Sequence, residues 1–542
     1  MTDEAGRAGA KLEQTHEGEF HGDMGDGGPA IAITKSTKLF CFCAALNSCN
    51  LGYDIGVSSQ AGILVQDTMG LSDTRIEVLM GSLNLFAMVG ALLSHVVADR
   101  WGRRGAFVIA AVSFIVGVVI QAAALNYATL MVGRAFVGVG VGSGLAIDPV
   151  YIAEMSPAAH RGRLVTWSEI ALNVGLVLGF ASGAVFYEIP ADTAWRYMFG
   201  MGAILPTIMI FLAIFVMPES PRWLVSKGQE EKAKSVLQKL YPPSYNVDQI
   251  VYEIKESIER EVSAEKAIGW DMILFPTPAF RRMLFVGIGA AVAQQAVGVD
   301  ALQYFLAFIV NESGIQTRGG QTAVLVVLGL VKLVFIFVGG YFFDRKGRRP
   351  VFFVSLLGMA VALVLLSVTF FGDTPNSTFA VCGLALYFAF FSVGMGPGAW
   401  LVPSEVFAIT VKTRAMSVAT FMNRVTATLM ASTFLTTATA MSYAGFFLLL
   451  AGVCIIVLGF FYWFLPETRG RPLEDMSLYF AEITGDNAIL EAEAKLRAEE
   501  GVSVEMSGSV GNQGGSTLRS RAGAAGRSDE GEGGNKVVGT MA

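Results

Sequence analysis

The sequence predicts an all-α membrane protein with twelve transmembrane helices in two pseudo-symmetric six-helix bundles, joined by a cytosolic helical linker. Three observations carry this. Of 542 residues, 53% are hydrophobic and only 15% charged, against about 25% charged in soluble proteins; the mean hydropathy is +0.54. Short motifs recur at one offset: Asp99-Arg100-Trp101-Gly102-Arg103-Arg104 returns 245 residues later as Asp344-Arg345-Lys346-Gly347-Arg348-Arg349, Pro218-Glu219-Ser220 returns 248 later as Pro466-Glu467-Thr468, and Glu154 returns 251 later as Glu405. The chain is therefore a duplication. Each copy is rich in apolar runs near the roughly 20 residues that a spanning helix needs. A duplicated set of such runs points to a transporter with its site between the halves.

Residues 1–37 are Gly-rich and polar and read as a disordered cytosolic tail without a cleavable signal peptide. The first bundle covers 38–217, with spans near 38–60, 76–98, 106–126, 128–153, 164–187 and 196–217. Residues 218–281, with Glu230, Glu231, Lys232, Lys234, Glu253, Lys255, Glu256 and Glu259, read as short amphipathic helices on the cytosolic face. The second bundle covers 282–465, with spans near 282–310, 321–343, 350–371, 378–403, 414–440 and 442–465. Residues 466–542 form a mostly disordered cytosolic tail, Gly/Ser-rich from about 500. Lys and Arg concentrate in the loops at 100–104 and 345–349, while opposite loops carry little beyond Arg75 and Arg318. The basic loops and both termini are therefore expected in the cytosol. Asn311 and Asn376 begin sequons in outer loops, both short.

The net charge of −6 argues against nucleic acid as a partner. Cys41, Cys43, Cys49, Cys382 and Cys454 all lie in apolar runs and read as buried small hydrophobes, not a disulfide framework or zinc site. The Gly138–Gly144 run has no strand before it, so it reads as small-residue helix packing and not a nucleotide loop. No metal cluster, nucleophile triad or cofactor loop is visible, so neither an enzyme nor a cofactor is expected.

An ionisable group inside a span needs a partner or a task. Seven stand out: Asp54, Arg134, Asp148, Glu169, Asp300, Lys332 and Arg424, four acidic and three basic, so near-complete pairing is open to them. At about 1.5 Å per residue, Asp54 lies roughly 24 Å from the inner face, and Arg134 enters from the outer face to a similar depth. The two can pair. A carboxylate beside Arg stays ionised, while the same group in a dry site without the Arg takes a proton, so Asp54 with Arg134 can couple proton movement. A permanent pin between two helices is the other reading. Gln294, Gln295 and Asp300 in one span, with Lys332 and Arg424 near mid-membrane in two others and Asn423 beside Arg424, offer amides, a carboxylate and cations, which suits a polyhydroxylated ligand because each hydroxyl donates and accepts. Plain helix–helix hydrogen bonding is the alternative. Gly394-Met395-Gly396-Pro397-Gly398 should break its span, and Trp400 after it offers an aromatic face to a sugar ring or sits in an interface belt. Asp99, Arg103, Arg104, Glu154 and Arg161 in one half, with Asp344, Arg348, Arg349, Glu405 and Lys412 in the other, read as ion-pair latches that close the cytosolic side; lipid-binding patches are the alternative.

These motifs resemble the sugar porter family of the major facilitator superfamily. The resemblance spans about 38–476 and rests on Asp99–Arg104, Asp344–Arg349, Gly133-Arg134 with its Gly run, Pro218-Glu219-Ser220-Pro221-Arg222-Trp223, Gln294-Gln295 and Pro466-Glu467-Thr468-Arg469-Gly470. Within that family the chain is most similar to plant-type polyol and monosaccharide proton symporters, through Glu169 where many hexose porters have Gln, Asp300 in place of Asn, Lys332 in place of Asn, and Asn423-Arg424 in place of Asn-Trp. The resemblance implies alternating access about a central site, with a polyol or sugar, a proton and the bilayer as partners and the monomer as working unit. Asp54 and Arg134 match the coupling pair. Glu169, Gln294, Gln295, Asp300, Lys332, Trp400 and Asn423 match sugar-lining positions. His95 stands where the first basic motif usually begins with Gly, and Lys412 where an Arg usually pairs with the residue that is Glu405 here, with Arg414 nearby; Asp148 has no counterpart. The implied activity is proton-coupled import of a polyol or monosaccharide, at the plasma membrane or alternatively the vacuolar one. An uncoupled hexose uniporter and a non-transporting sugar sensor are the alternatives.

Overall fold

Backbone polar groups in hydrocarbon must be satisfied within the segment, so apolar runs of this length fold as helices. The computed structural model describes residues 33–157, 160–243, 245–267, 271–371, 375–408, 412–468 and 473–486. The first half contains α1 (Lys35–Ala45), α2 (Ser48–Met69), α3 (Asp73–Ala122), α4 (Tyr127–Met155), α5 (Arg161–Val185), α6 (Ala191–Met201) and α7 (Ile204–Phe215). The linker contains α8 (Pro221–Ser226), α9 (Glu230–Leu240), α10 (Val247–Ala267) and α11 (Asp271–Leu274). The second half contains α12 (Pro278–Ala296), α13 (Val299–Tyr304), α14 (Leu306–Glu312), α15 (Arg318–Lys346), α16 (Arg348–Thr369), α17 (Ser377–Val393), α18 (Met395–Val406), α19 (Lys412–Ser432) and α20 (Phe434–Phe464), followed by α21 (Leu473–Thr484).

Each predicted span falls on helix. Nine stretches among the described residues are long and apolar enough to cross a bilayer. One of them, the 50-residue α3, would be about 75 Å long if straight, more than twice the hydrocarbon thickness. It turns at Gly102 (φ 81°, ψ 174°), a backbone region essentially reserved for glycine and worth about 1–3 kcal/mol of strain to other residues. Gly347 repeats the turn at φ 88°, ψ 174°, so the duplication is written in the backbone as well as the motif. The remaining predicted spans, on α1–α2 and α19, are diluted by polar side chains such as Asn47, Asn50, Asp54, Asn423 and Arg424.

The two halves use the same pairings: α2 packs on α5 and α3 on α4, while α12 packs on α19 and both α15 and α16 pack on α17. Between halves, α3 meets α19 and α5 meets α15. The Gly138–Gly144 run lets α4 lie against α3: a Cβ on Gly142 would stand 1.8 Å from the Ala87 carbonyl oxygen, which only glycine avoids. In the linker, α9 buries Ala233, Val236, Leu237 and Leu240. It docks on the start of α1, where Thr34 and Thr37 hydroxyls donate to the Lys239 and Leu240 carbonyls at 3.1 and 3.2 Å. Four cysteines are buried, but Cys382 is exposed, because hydrophobicity places it in a span without saying which side of α17 faces lipid.

Candidate functional site

Asp54 on α2 and Arg134 on α4 meet in the first half. Arg134 Nη1 donates to both carboxylate oxygens at 2.9 Å, and both residues are 2% exposed. The guanidinium also donates to the Leu79 carbonyl at 3.2 Å and lies 6.0 Å from the Tyr304 ring of the second half. Removing one partner of such a buried pair typically costs about 3–5 kcal/mol, because the other charge is left uncompensated.

The second half brings Asn423, Arg424, Gln294 and Asp300 together. Arg424 Nε and Nη2 donate to Asn423 Oδ1 at 3.0 and 2.6 Å. Asn423 Nδ2 donates to Gln294 Oε1 at 3.0 Å and to the Ala291 carbonyl at 2.7 Å. Gln294 Nε2 in turn donates to the Gly396 carbonyl at 2.8 Å, within the expected break, where α17 ends at Val393 and Gly394 leaves helical geometry. The span bearing Asp300 is also broken, at Gly298. Arg424 Nη1 lies 4.0 Å from Asp300 Oδ2 and donates to Asn84 Oδ1 at 3.1 Å, tying the cluster to α3. Asn84 Nδ2, Gln295 Oε1 and the Tyr304 hydroxyl are buried without a protein partner. Orphaned polar atoms carry a desolvation cost of about 1–3 kcal/mol each, which a hydroxylated ligand offsets. Trp400 and Glu169 are half-buried; Glu169 takes its backbone and carboxylate contacts from Asn173 at 2.8 and 3.5 Å.

Pairing is less complete than the charge count suggested. Lys332 donates to Gln303 Oε1 at 3.0 Å, with the Phe391 ring 5.9 Å away, and not to Asp300. Asp148 accepts only from Asn47 and Ser48, at 2.9 and 2.5 Å. The sequence reading passed over Asn84 and Tyr304, single polar positions in apolar runs, and Gln303, next to Tyr304. It also passed over Glu77, which is 1% exposed. Glu77 accepts from Thr436 N and Oγ1, both at 2.6 Å, at the bend between α19 and α20, where broken helix geometry leaves an N–H to satisfy.

The basic motifs assemble within each half. Arg103 grips Glu154 through Nε and Nη2 at 3.0 and 2.9 Å, and Arg348 grips Glu405 through Nε at 3.1 Å and Nη2. Asp99 lies 3.6 Å from Arg103 but is largely exposed. Two carboxylates the sequence reading left unassigned complete the sites. Glu219 accepts the N–H groups of Arg103 and Arg104 at 2.7 and 3.2 Å, and Glu467 those of Arg348 and Arg349 at 2.9 and 3.1 Å. Each sits on the positive end of the helical segment that begins after its motif's glycine, Gly102 or Gly347. Burial pushes the Glu219 carboxyl above the usual range, against the N–H groups of Ser220, Arg103 and Arg104, which hold it down. Arg104 and Arg349 reach the Ile214 and Tyr462 carbonyls, both at 2.8 Å. Glu405 is held by Arg348 and Thr468 and not by the expected Lys412. The side chains of Arg161 and Asp344 lie outside the described set. The networks therefore brace each half internally, whereas the expectation was a latch across the cytosolic side.

Hydrogen bonds between the halves gather toward the opposite face. Gln60 donates to Thr322 Oγ1 at 2.9 Å, Ala307 N to Ser59 Oγ at 3.0 Å and Arg318 to the Ile189 carbonyl at 3.0 Å, alongside the Glu77–Thr436 contacts.

A family model described as "Sugar (and other) transporter" matches residues 40–480. The chain is 36% identical over 464 residues to "Putative polyol transporter 1" of Arabidopsis thaliana, covering 82% of this chain and 91% of that protein. It is 30% identical over 527 residues to "Proton myo-inositol cotransporter" of Homo sapiens, covering 81% of each. The fold is similar to the inward open xylose transporter XylE from E. coli, with a TM-score of 0.71 at 23% identity over 82% of this chain and 99% of that one. With a family match across most of its length, the chain belongs to the sugar transporter family: an integral, multi-pass membrane transporter and not an enzyme.

Proposed function

We propose that this protein is a proton-coupled secondary active transporter that imports a polyol or monosaccharide by alternating access. In this reading residues 38–217 and 282–465 are two six-helix bundles that rock about a central site. Residues 218–281 form a cytosolic linker, both tails are cytosolic, and the working unit is a monomer in the plasma membrane. The observation that carries the reading is the buried Asp54–Arg134 pair beside a cluster of unsatisfied polar groups at the junction of the halves. Asp54 takes the proton when Arg134 withdraws. Gln294, Gln295, Asp300, Asn423 and Arg424, with Asn84 from the other half, hold the substrate, while Glu169, Lys332 and Trp400 line its approach. The inter-half bonds at Gln60, Ser59, Glu77 and Arg318 support an outer side closed in this state. The basic motifs, braced within their own halves, then act as rigid ends of the two bundles on the open cytosolic side.

A polyol is favoured over a hexose by the carboxylate of Asp300 and the cation of Arg424, where a hydroxyl-rich ligand meets both a strong acceptor and a strong donor. Several polyol transporters of Arabidopsis thaliana and the human proton myo-inositol cotransporter lie among the relatives. A panel of linear polyols, inositol, pentoses and hexoses applied to expressing oocytes at several external pH values tests this. Inward currents that grow on acidification, and are larger for polyols than for hexoses, are expected. Uptake of hexoses alone, with no current at any pH, would identify an uncoupled uniporter.

A further inference from the structure

The coupling pair leaves one buried carboxylate of the first half without a task. Asp148 lies on α4, six residues and about 9 Å before Glu154, and is 1% exposed. One of its oxygens accepts from the Asn47 amide at 2.9 Å and the other from the Ser48 hydroxyl at 2.5 Å. Among the described residues no lysine or arginine forms an ion pair with it. Of the ionisable groups on the helices around it, α1 supplies Lys35, Lys38, Cys41 and Cys43, α2 supplies Cys49, Tyr53, Asp54 and Asp67, and α5 supplies Arg161, Arg163 and Glu169. Arg103 of α3 is engaged with Glu154, and Arg134 of α4 with Asp54. Tyr151 of α4 donates to the Pro218 carbonyl, and α8 supplies Arg222. A bare carboxylate in such a place costs several kcal/mol, more than two neutral hydrogen bonds of about 1 kcal/mol each return. Taking a proton removes the cost.

A polar path leads from this group toward Asp54. Asn47, Asn50 and Asp54 are spaced three and four residues apart at the start of α2, which places them along one face. The Asn50 amide donates to Asn47 Oδ1 at 3.1 Å, while Asn50 Oδ1, in a side chain 3% exposed, has no partner. A cleft with room for about one water is lined by the polar Asn47, Ser48 and Asn50 together with apolar residues that include Leu51, Phe114 and Leu145. Pro149 has no N–H, so the Leu145 carbonyl at the same cleft lacks its helical donor.

We propose that Asp148 is a second proton-binding site, which receives the coupled proton from the Asp54 side and passes it to the cytosolic side. The proposal rests on the reading of Asp54 as the coupling carboxylate. The proton leaves an Asp54 oxygen as Arg134 closes on it, crosses by a hydrogen-bonded water in the Asn50 cleft, binds an Asp148 oxygen, and departs to bulk water. Only O–H bonds form and break, and no electrons are transferred.

Acid-minus-neutral infrared difference spectra of the purified transporter, paired with substrate-induced proton currents in proteoliposomes, test this. The wild type should show C=O bands of protonated, buried carboxylic acids, and Asp148→Asn should lose one component that Asp54→Asn keeps. The current should fall at least about tenfold in Asp148→Asn while equilibrium substrate exchange stays within about twofold, since an intramembrane relay group serves proton transfer and not substrate binding. A spectrum that superimposes on wild type, or an unchanged current, would show Asp148 to be a hydrogen-bonded anchor between α2 and α4. Should Asp148→Asn not fold, Asn50→Leu decides by filling the cleft: loss of current with exchange kept supports the relay, and an unchanged current overturns it. Asp54→Asn separates the two levels. Persistence of its current overturns the coupling reading and the relay together, whereas its loss beside an unaffected Asp148→Asn overturns the relay alone.

Discussion

Asp54→Asn is expected to abolish accumulation while sparing exchange. A proton moving inward down two pH units and about 100 mV supplies about 5 kcal/mol, which supports a concentration ratio above about a thousandfold. Without a protonatable group at this position the ratio should collapse to about one. The asparagine keeps the shape and an acceptor for Arg134, which already holds the Leu79 carbonyl, so the substrate cluster around Asn423 should stay formed. Counterflow of labelled substrate in proteoliposomes, measured beside uptake driven by a pH gradient, reads the two properties separately. Substrate-induced proton current surviving in this variant would remove Asp54 from the mechanism. Arg134→Ala should be worse. It leaves a carboxylate 2% exposed without its cation, and about 3–5 kcal/mol of stability should be lost with it.

The second large effect is expected at Arg424. This one side chain holds Asn423 twice, Asn84 across the interface and Asp300 at 4.0 Å. Arg424→Ala removes a cation from beside a carboxylate that is 8% exposed and orphans an Asn423 oxygen that is wholly buried. Substrate affinity should fall by about two orders of magnitude or more, the loss expected when a site built to hydrogen-bond hydroxyls loses its donors. Asp300→Asn is the gentler companion. It keeps one acceptor and removes the charge, so polyol uptake should drop more than hexose uptake. Equal losses for both ligand classes would make Asp300 a counter-ion for Arg424 and nothing more. Binding by isothermal titration and uptake of paired polyol and hexose substrates measure these outcomes.

Depth along a helix was legible in the sequence, and azimuth was not. The rise per residue placed Asp54 and Arg134 at one level, and they meet. The same arithmetic put Lys332 and Arg424 near mid-membrane, but Lys332 turns to Gln303 and only Arg424 turns toward Asp300. Spans buried around most of their circumference carry no polar face to set a rotation, so several partners of equal depth compete. The duplication identified the Pro-Glu motifs without their use. Their carboxylates bond to backbone N–H groups beyond Gly102 and Gly347, and a backbone donor leaves no trace in residue identity. Glu77 went unread for a related reason: its partner is the Thr436 N–H and hydroxyl at a bend in the other half, 359 positions away in the chain. The fold class and the Gly394 break needed only hydrophobicity and backbone propensity.

The central claim is that substrate movement is tied to a proton. Purified protein in vesicles, with an imposed pH gradient of varied size and the membrane potential clamped by a potassium ionophore, tests it most directly. One proton per substrate predicts a steady-state accumulation ratio that rises about tenfold for each pH unit, since one unit is worth about 1.4 kcal/mol. A ratio that stays at one whatever the gradient, with substrate still equilibrating rapidly, would contradict the account and leave a facilitative carrier.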